Sequence, residues 1–135
     1  MLPALEDVIP HRRPMLLLDT LLSVSSSSTK AAMTIRADCL FLRPEGRLEP
    51  IAFIELLAQC FAAGCGVEHP AQWGYLAAIR SLHIYGEAKQ GDTLRAETSM
   101  VTALGNILVV EGTLWKEEQC LAEGQFKIYL PETGA

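Results

Sequence analysis

Glu55 and Gln59 are the two residues whose types and spacing most directly suggest chemistry. Both interrupt an otherwise apolar run from Ile51 to Val67. Four positions apart on a helix, they share one face and lie within reach of each other. A carboxyl group among apolar neighbours is costly to bury unless it is paired or protonated, so its presence there calls for a reason. Acid–base chemistry is one reason. The other is structural: a carboxylate favoured by the helix N-terminus and paired with an arginine such as Arg47 or Arg80. Gln59 can orient Glu55 or satisfy a backbone group in the core. The chain has three histidines. His11 stands in the turn-like run Pro10-His11-Arg12-Arg13-Pro14. His83 falls in an expected strand, as a pocket or interface side chain, and His69 precedes Pro70 in an expected loop.

These residues need elements to hold them. Ala4 to Ile9 reads as a short helix before Pro10. Each proline of the Pro10–Pro14 run pushes its preceding residue away from helix. Met15 to Val24 reads as a first strand, with Asp19 in a turn or salt bridge. Ser25 to Ser28 reads as a solvated loop and Thr29 to Ala37 as a second strand. Phe41 to Glu49, with Pro44 and Gly46, is an extended loop. Pro50 suits a first helical position, and Ile51 to Gly66 is a helix apolar on all sides, ended by Gly64 and Gly66. Tyr75 to Ala88 is a strand broken near Gly86, and Gly91-Asp92 is a turn. Thr93–Leu104 and Ile107–Trp115 form a hairpin around Gly105-Asn106. Lys116 to Gln119 is a polar turn, Cys120 to Leu130 a last strand, and Pro131 to Ala135 a tail. A helix apolar all round requires a sheet to wrap it. The expected architecture is α+β: a curved antiparallel sheet around one central helix, in a single domain spanning residues 1–135.

Composition narrows the function classes. The 135 residues are half apolar and carry a net charge of −5. Arg12-Arg13 is the one basic cluster, so a nucleic-acid partner is not expected. Nor is a membrane: the run Ile51–Val67 is short of the roughly 20 residues that span a bilayer. No positively charged secretory n-region follows Met1. Cys39, Cys60, Cys65 and Cys120 form no Cys-x-x-Cys pair, so no structural metal is expected and a reducing, cytoplasmic setting is. Gly-x-Gly-x-x-Gly, P-loop and His-Glu-x-x-His patterns are absent, and no cofactor is expected.

Three segments carry a resemblance. They are Pro10-His11-Arg12-Arg13-Pro14-Met15-Leu16-Leu17-Leu18-Asp19, then Ile54-Glu55-Leu56-Leu57-Ala58-Gln59, then Ala78-Ile79 through Gly91-Asp92-Thr93-Leu94. In order and spacing they resemble the β-hydroxyacyl-acyl-carrier-protein dehydratases of hot-dog fold, and within them a divergent aryl-polyene-type subgroup. The resemblance spans roughly residues 2 to 130. It implies an acyl thioester substrate on acyl carrier protein or coenzyme A. It also implies a homo- or heterodimer with another hot-dog subunit, and Glu55 as the acid that protonates the departing β-hydroxyl or holds the resulting water. Arg12 and Arg13 would face the phosphopantetheine or carrier protein, or simply solvent.

Two departures from that family matter. Its catalytic histidine precedes the central helix, and here the aligned residue is Phe41, in a loop Leu40–Gly46 without histidine. Its helix-start glycine, whose amide holds the thioester carbonyl, is here Pro50, which has no N–H to donate. Ile51 or Ala52 remain as donors. Glu55 and His11 are thus the candidate catalytic residues, and Gln59, Phe41 and Ile51 the candidate substrate contacts. Because the family's homodimers combine the histidine of one subunit with the acid of the other, the chain is expected to be a half-site dehydratase subunit lacking the histidine. The alternatives are a hot-dog thioesterase using Glu55 to activate water, or a non-catalytic acyl-binding or scaffold subunit.

Overall fold

The 18-residue helix α1 (Ile51–Glu68) buries side chains on every side, among them Phe53, Ile54, Leu56, Leu57, Cys60 and Phe61. A helix without a polar face is stable in water only when protein surrounds it. In the computed structural model, which describes residues 1–69 and 74–131, a six-stranded antiparallel sheet does this. Its strands are β1 (Thr20–Val24), β2 (Ser28–Thr34), β3 (Tyr75–Ile84), β4 (Thr93–Leu104), β5 (Ile107–Lys116) and β6 (Gln119–Tyr129). They lie in the order β1-β2-β4-β5-β6-β3, so β1 and β3 are the two edges. The α+β reading, a curved sheet around one central helix, is what the chain forms. Alternation along β2 and β5 sends Ala31, Met33, Val110 and Leu114 inward, each burial contributing up to about 1.5–3 kcal/mol for the larger side chains.

Several expected boundaries move. The first strand begins at Thr20 rather than Met15. Leu16, Leu17 and Leu18 are all buried, which alternation forbids, and the Leu17 N–H goes to the Gln59 side chain rather than to a neighbouring strand. The N-terminal helix is a single 3-10 turn, Leu5–Asp7. β2 stops at Thr34, whose N–H donates to the Asp19 carboxylate, and a turn at Ala37-Asp38 follows. β3 ends at Ile84: beyond Gly86 the chain leaves β6, and the Ala88 carbonyl accepts from Leu48 N–H instead. The Gly105-Asn106 hairpin and the turn at Gly91 form where expected, both glycines at positive φ. Of the expected tail, residues 132–135 lie outside the described residues, as does Pro70.

Gly64 and Gly66 do not end the helix, which runs on to Glu68. Their role is close packing. A Cβ on Gly64 would overlap the Thr29 hydroxyl of β2, and one on Gly66 would overlap the Val8 carbonyl. The missing side chains let the last two turns of α1 sit directly on the sheet and on the N-terminal segment. By length and composition α1 could cross a membrane, but here it is the core helix.

Asp19 ties the N-terminal segment down. Its carboxylate accepts from Arg13 Nη2 at 2.8 Å, Arg36 Nη1 at 2.8 Å and Thr34 N at 2.7 Å. Burial works against the charge, but the Thr34 amide and the Arg36 and Arg13 guanidinium groups outweigh it and hold the pKa below the ordinary aspartate value.

Candidate active site

Glu55 faces a cleft of about 420 Å³ between α1, the N-terminal segment and the β3–β6 edge of the sheet. The first turns of α1 supply Glu55, Ala58 and Gln59, and the N-terminal segment supplies Ile9, Pro10 and His11. Tyr75 and Leu76 of β3, with Ile128 and Leu130, form the opposite wall. The lining is mainly aliphatic and aromatic, with the polar groups gathered around Glu55. Such a combination suits a ligand with an apolar body and one reactive polar end.

Gln59 is 1% exposed and fully used. Its Nε2 donates to Glu55 Oε1 at 2.9 Å and to the Met15 carbonyl at 2.8 Å. Its Oε1 accepts from the Leu17 N–H at 3.0 Å. An amide N–H can only donate, so this last bond fixes which end of the Gln59 side chain is oxygen. The two roles considered for Gln59, orienting Glu55 and satisfying the core backbone, are therefore performed together. One carboxylate oxygen is held, and the side chain, 28% exposed, opens to the cleft.

His11 Nε2 lies 3.7 Å from Glu55 Oε1. Its Nδ1 is buried without a hydrogen-bond partner among the described residues. The turn that presents it is braced by Arg12, whose guanidinium donates to the carbonyls of Glu6, Ile9 and His11. Arg13 likewise turns back onto the Leu16 and Leu18 carbonyls and Asp19. Both arginines brace their own segment, rather than standing free in a solvated loop. Among the described residues neither Arg47 nor Arg80 pairs with Glu55: Arg47 pairs with Glu45 and Glu87, and the polar partners of Glu55 are Gln59 and His11.

The other candidates sit elsewhere. Phe41 packs half-buried against the core in the loop before α1 and does not line this cleft; its carbonyl accepts from Glu49 N–H. The loop is held by Arg43, which donates to both carboxylate oxygens of Glu49. Ile51 is 59% exposed at the helix start. The Ala52 N–H is already taken by the Glu49 carbonyl and the Phe53 N–H by that of Pro50, which removes Ala52 from the expected carbonyl donors and leaves Ile51. His83 lies on the outer face of the sheet opposite Glu123, in a larger open groove of about 610 Å³ that shares no lining residue with the cleft. That groove is lined mainly by polar and charged side chains, among them Lys30, Glu97, Glu111, Glu123 and Gln125. His69 ends α1 and donates its N–H to the Cys65 carbonyl.

Sequence reasoning missed the far wall. Tyr75, Leu76, Ile128 and Leu130 read only as strand residues, and their convergence on Glu55 depends on β3 crossing the whole sheet to pair with β6. The thiols of Cys60 and Cys65 are pushed up by burial, to about 12 and about 11, so neither is a nucleophile near neutrality.

Residues 3–135 match the family described as ApeP-like, ApeP dehydratase. The chain belongs to that family. Its curated relatives include the 3-hydroxyacyl-[acyl-carrier-protein] dehydratase FabZ of Clostridioides difficile, 29% identical over 95% of each chain. FabZ of Fusobacterium nucleatum is 26% identical over 92% of each. Among solved structures, a chain of the dehydratase heterocomplex ApeI:P from Xenorhabdus doucetiae superposes with a TM-score of 0.89 at 22% identity, covering 98% of this chain and 94% of that one. The E. coli PaaI protein superposes at 0.69 with 16% identity, covering 81% and 80%. The hot-dog fold and the dehydratase-like family thus stand together.

Proposed function

We propose that this chain is a 3-hydroxyacyl thioester dehydratase subunit that works as one half of a pair of hot-dog subunits, contributing Glu55. The observation that carries the reading is the Glu55 carboxyl, held by Gln59 at the mouth of an apolar cleft whose far wall includes Tyr75 and Leu76 of β3, an edge strand of the sheet among the described residues. Tyr75, Leu76 and Ile79 of that edge are exposed apolar residues. An edge of this kind favours pairing with another strand. A second hot-dog subunit joined there would close the cleft, and the name of the Xenorhabdus heterocomplex supports a non-identical partner.

In the reaction, a base takes the α-proton. The C–H electrons form the α,β double bond as the β-hydroxyl leaves, protonated to water by Glu55. The partner supplies the imidazole base, because the loop Leu40–Gly46 has no histidine. The thioester carbonyl would lie toward the Ile51 amide. A setting with free thiols, the cytoplasm, suits the unpaired Cys39, Cys60, Cys65 and Cys120. A supply of acyl chains on carrier protein or coenzyme A would make fatty acid or polyene synthesis its context.

One observation favours a second reading: His11 stands 3.7 Å from Glu55, so the chain carries an imidazole and a carboxyl of its own at the cleft mouth. In that reading it dehydrates unaided. Hydration of a crotonyl thioester separates the two. Activity that needs both this chain and a histidine-bearing hot-dog partner, and that Glu55→Gln abolishes, upholds the half-site. Full activity of the isolated chain, lost in His11→Ala, transfers the base to His11. Thiol release in place of hydration would make it a thioesterase, and a mixture indifferent to Glu55→Gln would make it a scaffold.

A further inference from the structure

The β3 edge of the sheet carries a charge that nothing in this chain answers. Along β3, from Tyr75 to Ile84, Arg80 is the only residue with a permanent charge. The register against β6 steps from Ile79 opposite Phe126 to Ser81 opposite Gln125, so Arg80 is the extra residue of a bulge and faces no residue of β6. It is exposed, and it makes no ion pair or side-chain hydrogen bond among the described residues. Every other arginine is committed to a carboxylate or carbonyl of its own chain. The one carboxylate that β6 sets opposite β3, Glu123, lies across from His83 and accepts from the Tyr85 hydroxyl at 2.6 Å. Lys127, opposite Ala78, adds a second cation beside the edge. A chain of net charge −5 is thus positive where its sheet is open to a partner.

We propose that Arg80 selects the partner at this edge. It opposes pairing of the chain with its own copy and favours a hot-dog subunit whose matching strand brings a carboxylate to that point. The proposal rests on the paired-subunit reading above.

Symmetry makes the discrimination. A two-fold pair is isologous, so β3 would run antiparallel to its own copy about an axis near the middle of the strand. The middle of Tyr75–Ile84 falls between Ile79 and Arg80. At full overlap the two Arg80 Cα atoms would stand roughly 6 Å apart, one residue of rise along the strands and one strand spacing across them. A slip of one residue either way keeps them within roughly 8 Å. Like charges so placed oppose pairing, and the strand has no carboxylate of its own to offset them. A carboxylate at the same place on a different subunit reverses the sign. The rest of the edge, with Tyr75, Leu76, Ile79 and Ile84 exposed, is apolar and favours either partner alike. Specificity needs a repulsive element as well as an attractive one, and Arg80 supplies it.

Association tests this without the natural partner. Sedimentation of the isolated chain gives its self-association constant, and native mass spectrometry of tagged and untagged chains gives the share of mixed pairs. Arg80→Ala should self-associate at least about tenfold more tightly than wild type. Arg80→Glu should self-associate as weakly as wild type. Wild type mixed with Arg80→Glu should nevertheless form mixed pairs well beyond the statistical share, an excess that high salt reduces. Self-association that Arg80→Ala leaves unchanged overturns the proposal, whether the chains are all monomeric or all paired, and so does statistical mixing. Pairing that follows the charge at Arg80, with no hydration of a crotonyl thioester when a histidine-bearing hot-dog subunit is added, upholds Arg80 and refutes the dehydratase reading alone. Hydration by that mixture, with association indifferent to Arg80, does the reverse.

Discussion

Gln59 Nε2 donates to Glu55 Oε1 at 2.9 Å while the rest of the Gln59 amide is committed to the backbone of Met15 and Leu17. The acid is thereby registered to the N-terminal segment as well as to its own helix. The cleft mouth and the position of the carboxyl are set by one buried side chain.

Gln59→Leu should expose this double role. It strands the Leu17 N–H and the Met15 carbonyl in the core, each at about 1–3 kcal/mol. Denaturant unfolding should show a loss of about 2–6 kcal/mol on that basis, and activity of the proposed pair should fall in the fraction that remains folded. A stability unchanged within error would mean that the Gln59 bonds contribute nothing.

Glu55→Gln should act on activity alone. Glu55 opens to the cleft and Gln keeps its shape, so unfolding should shift by less than about 1 kcal/mol. Hydration of an enoyl thioester by the complex should drop by about 10²–10⁴, the usual worth of a positioned acid.

The Asp19 cluster should appear in the pH dependence of stability. Its folded pKa lies below the ordinary 3.8, so the unfolded chain takes up the proton first. The stabilisation is complete above the ordinary value and is lost as pH falls through the lower, folded one. Asp19→Asn should therefore unfold more easily at neutral pH and lose part of its sensitivity as pH falls below the ordinary aspartate value. Urea midpoints measured across that window, in wild type and variant, decide the matter.

Gly64→Ala should be disruptive although alanine is the better helix former, because its Cβ would overlap Thr29 Oγ1. Overpacking of this kind costs about 1–3 kcal/mol. Thr29→Ala, destabilising alone, should recover part of the loss when combined with it. Additive effects of the two would refute the contact.

Cys60 and Cys65, with thiols raised to about 12 and about 11, should resist iodoacetamide at pH 8 in the native protein. Rapid alkylation of Cys60 without unfolding would contradict its burial.

The wrapped helix was legible because Ile51–Val67 has no polar face, and the Glu55–Gln59 pair because four residues make one helical turn. The β4–β5 hairpin was legible from Gly105-Asn106, a purely local signal. What escaped was decided by packing. Gly64 and Gly66 satisfied the local rule for a helix end, yet Thr29 and Val8 need the space their side chains would take. Leu16 to Leu18 looked like strand, yet Gln59 claims the backbone there. The approach of His11 to Glu55 and the wall built by Tyr75, Leu76 and Ile128 join segments far apart in the chain, which spacing alone cannot bring together.

Tyr75 and Leu76 belong at once to the exposed edge of the sheet and to the wall of the cleft. Whatever docks along β3 would therefore become part of the vessel that holds the substrate. Exchanging one companion subunit for another would reshape that vessel with no substitution in this chain. Selectivity would then belong to the pairing, and a genome could diversify its products by varying only the other half.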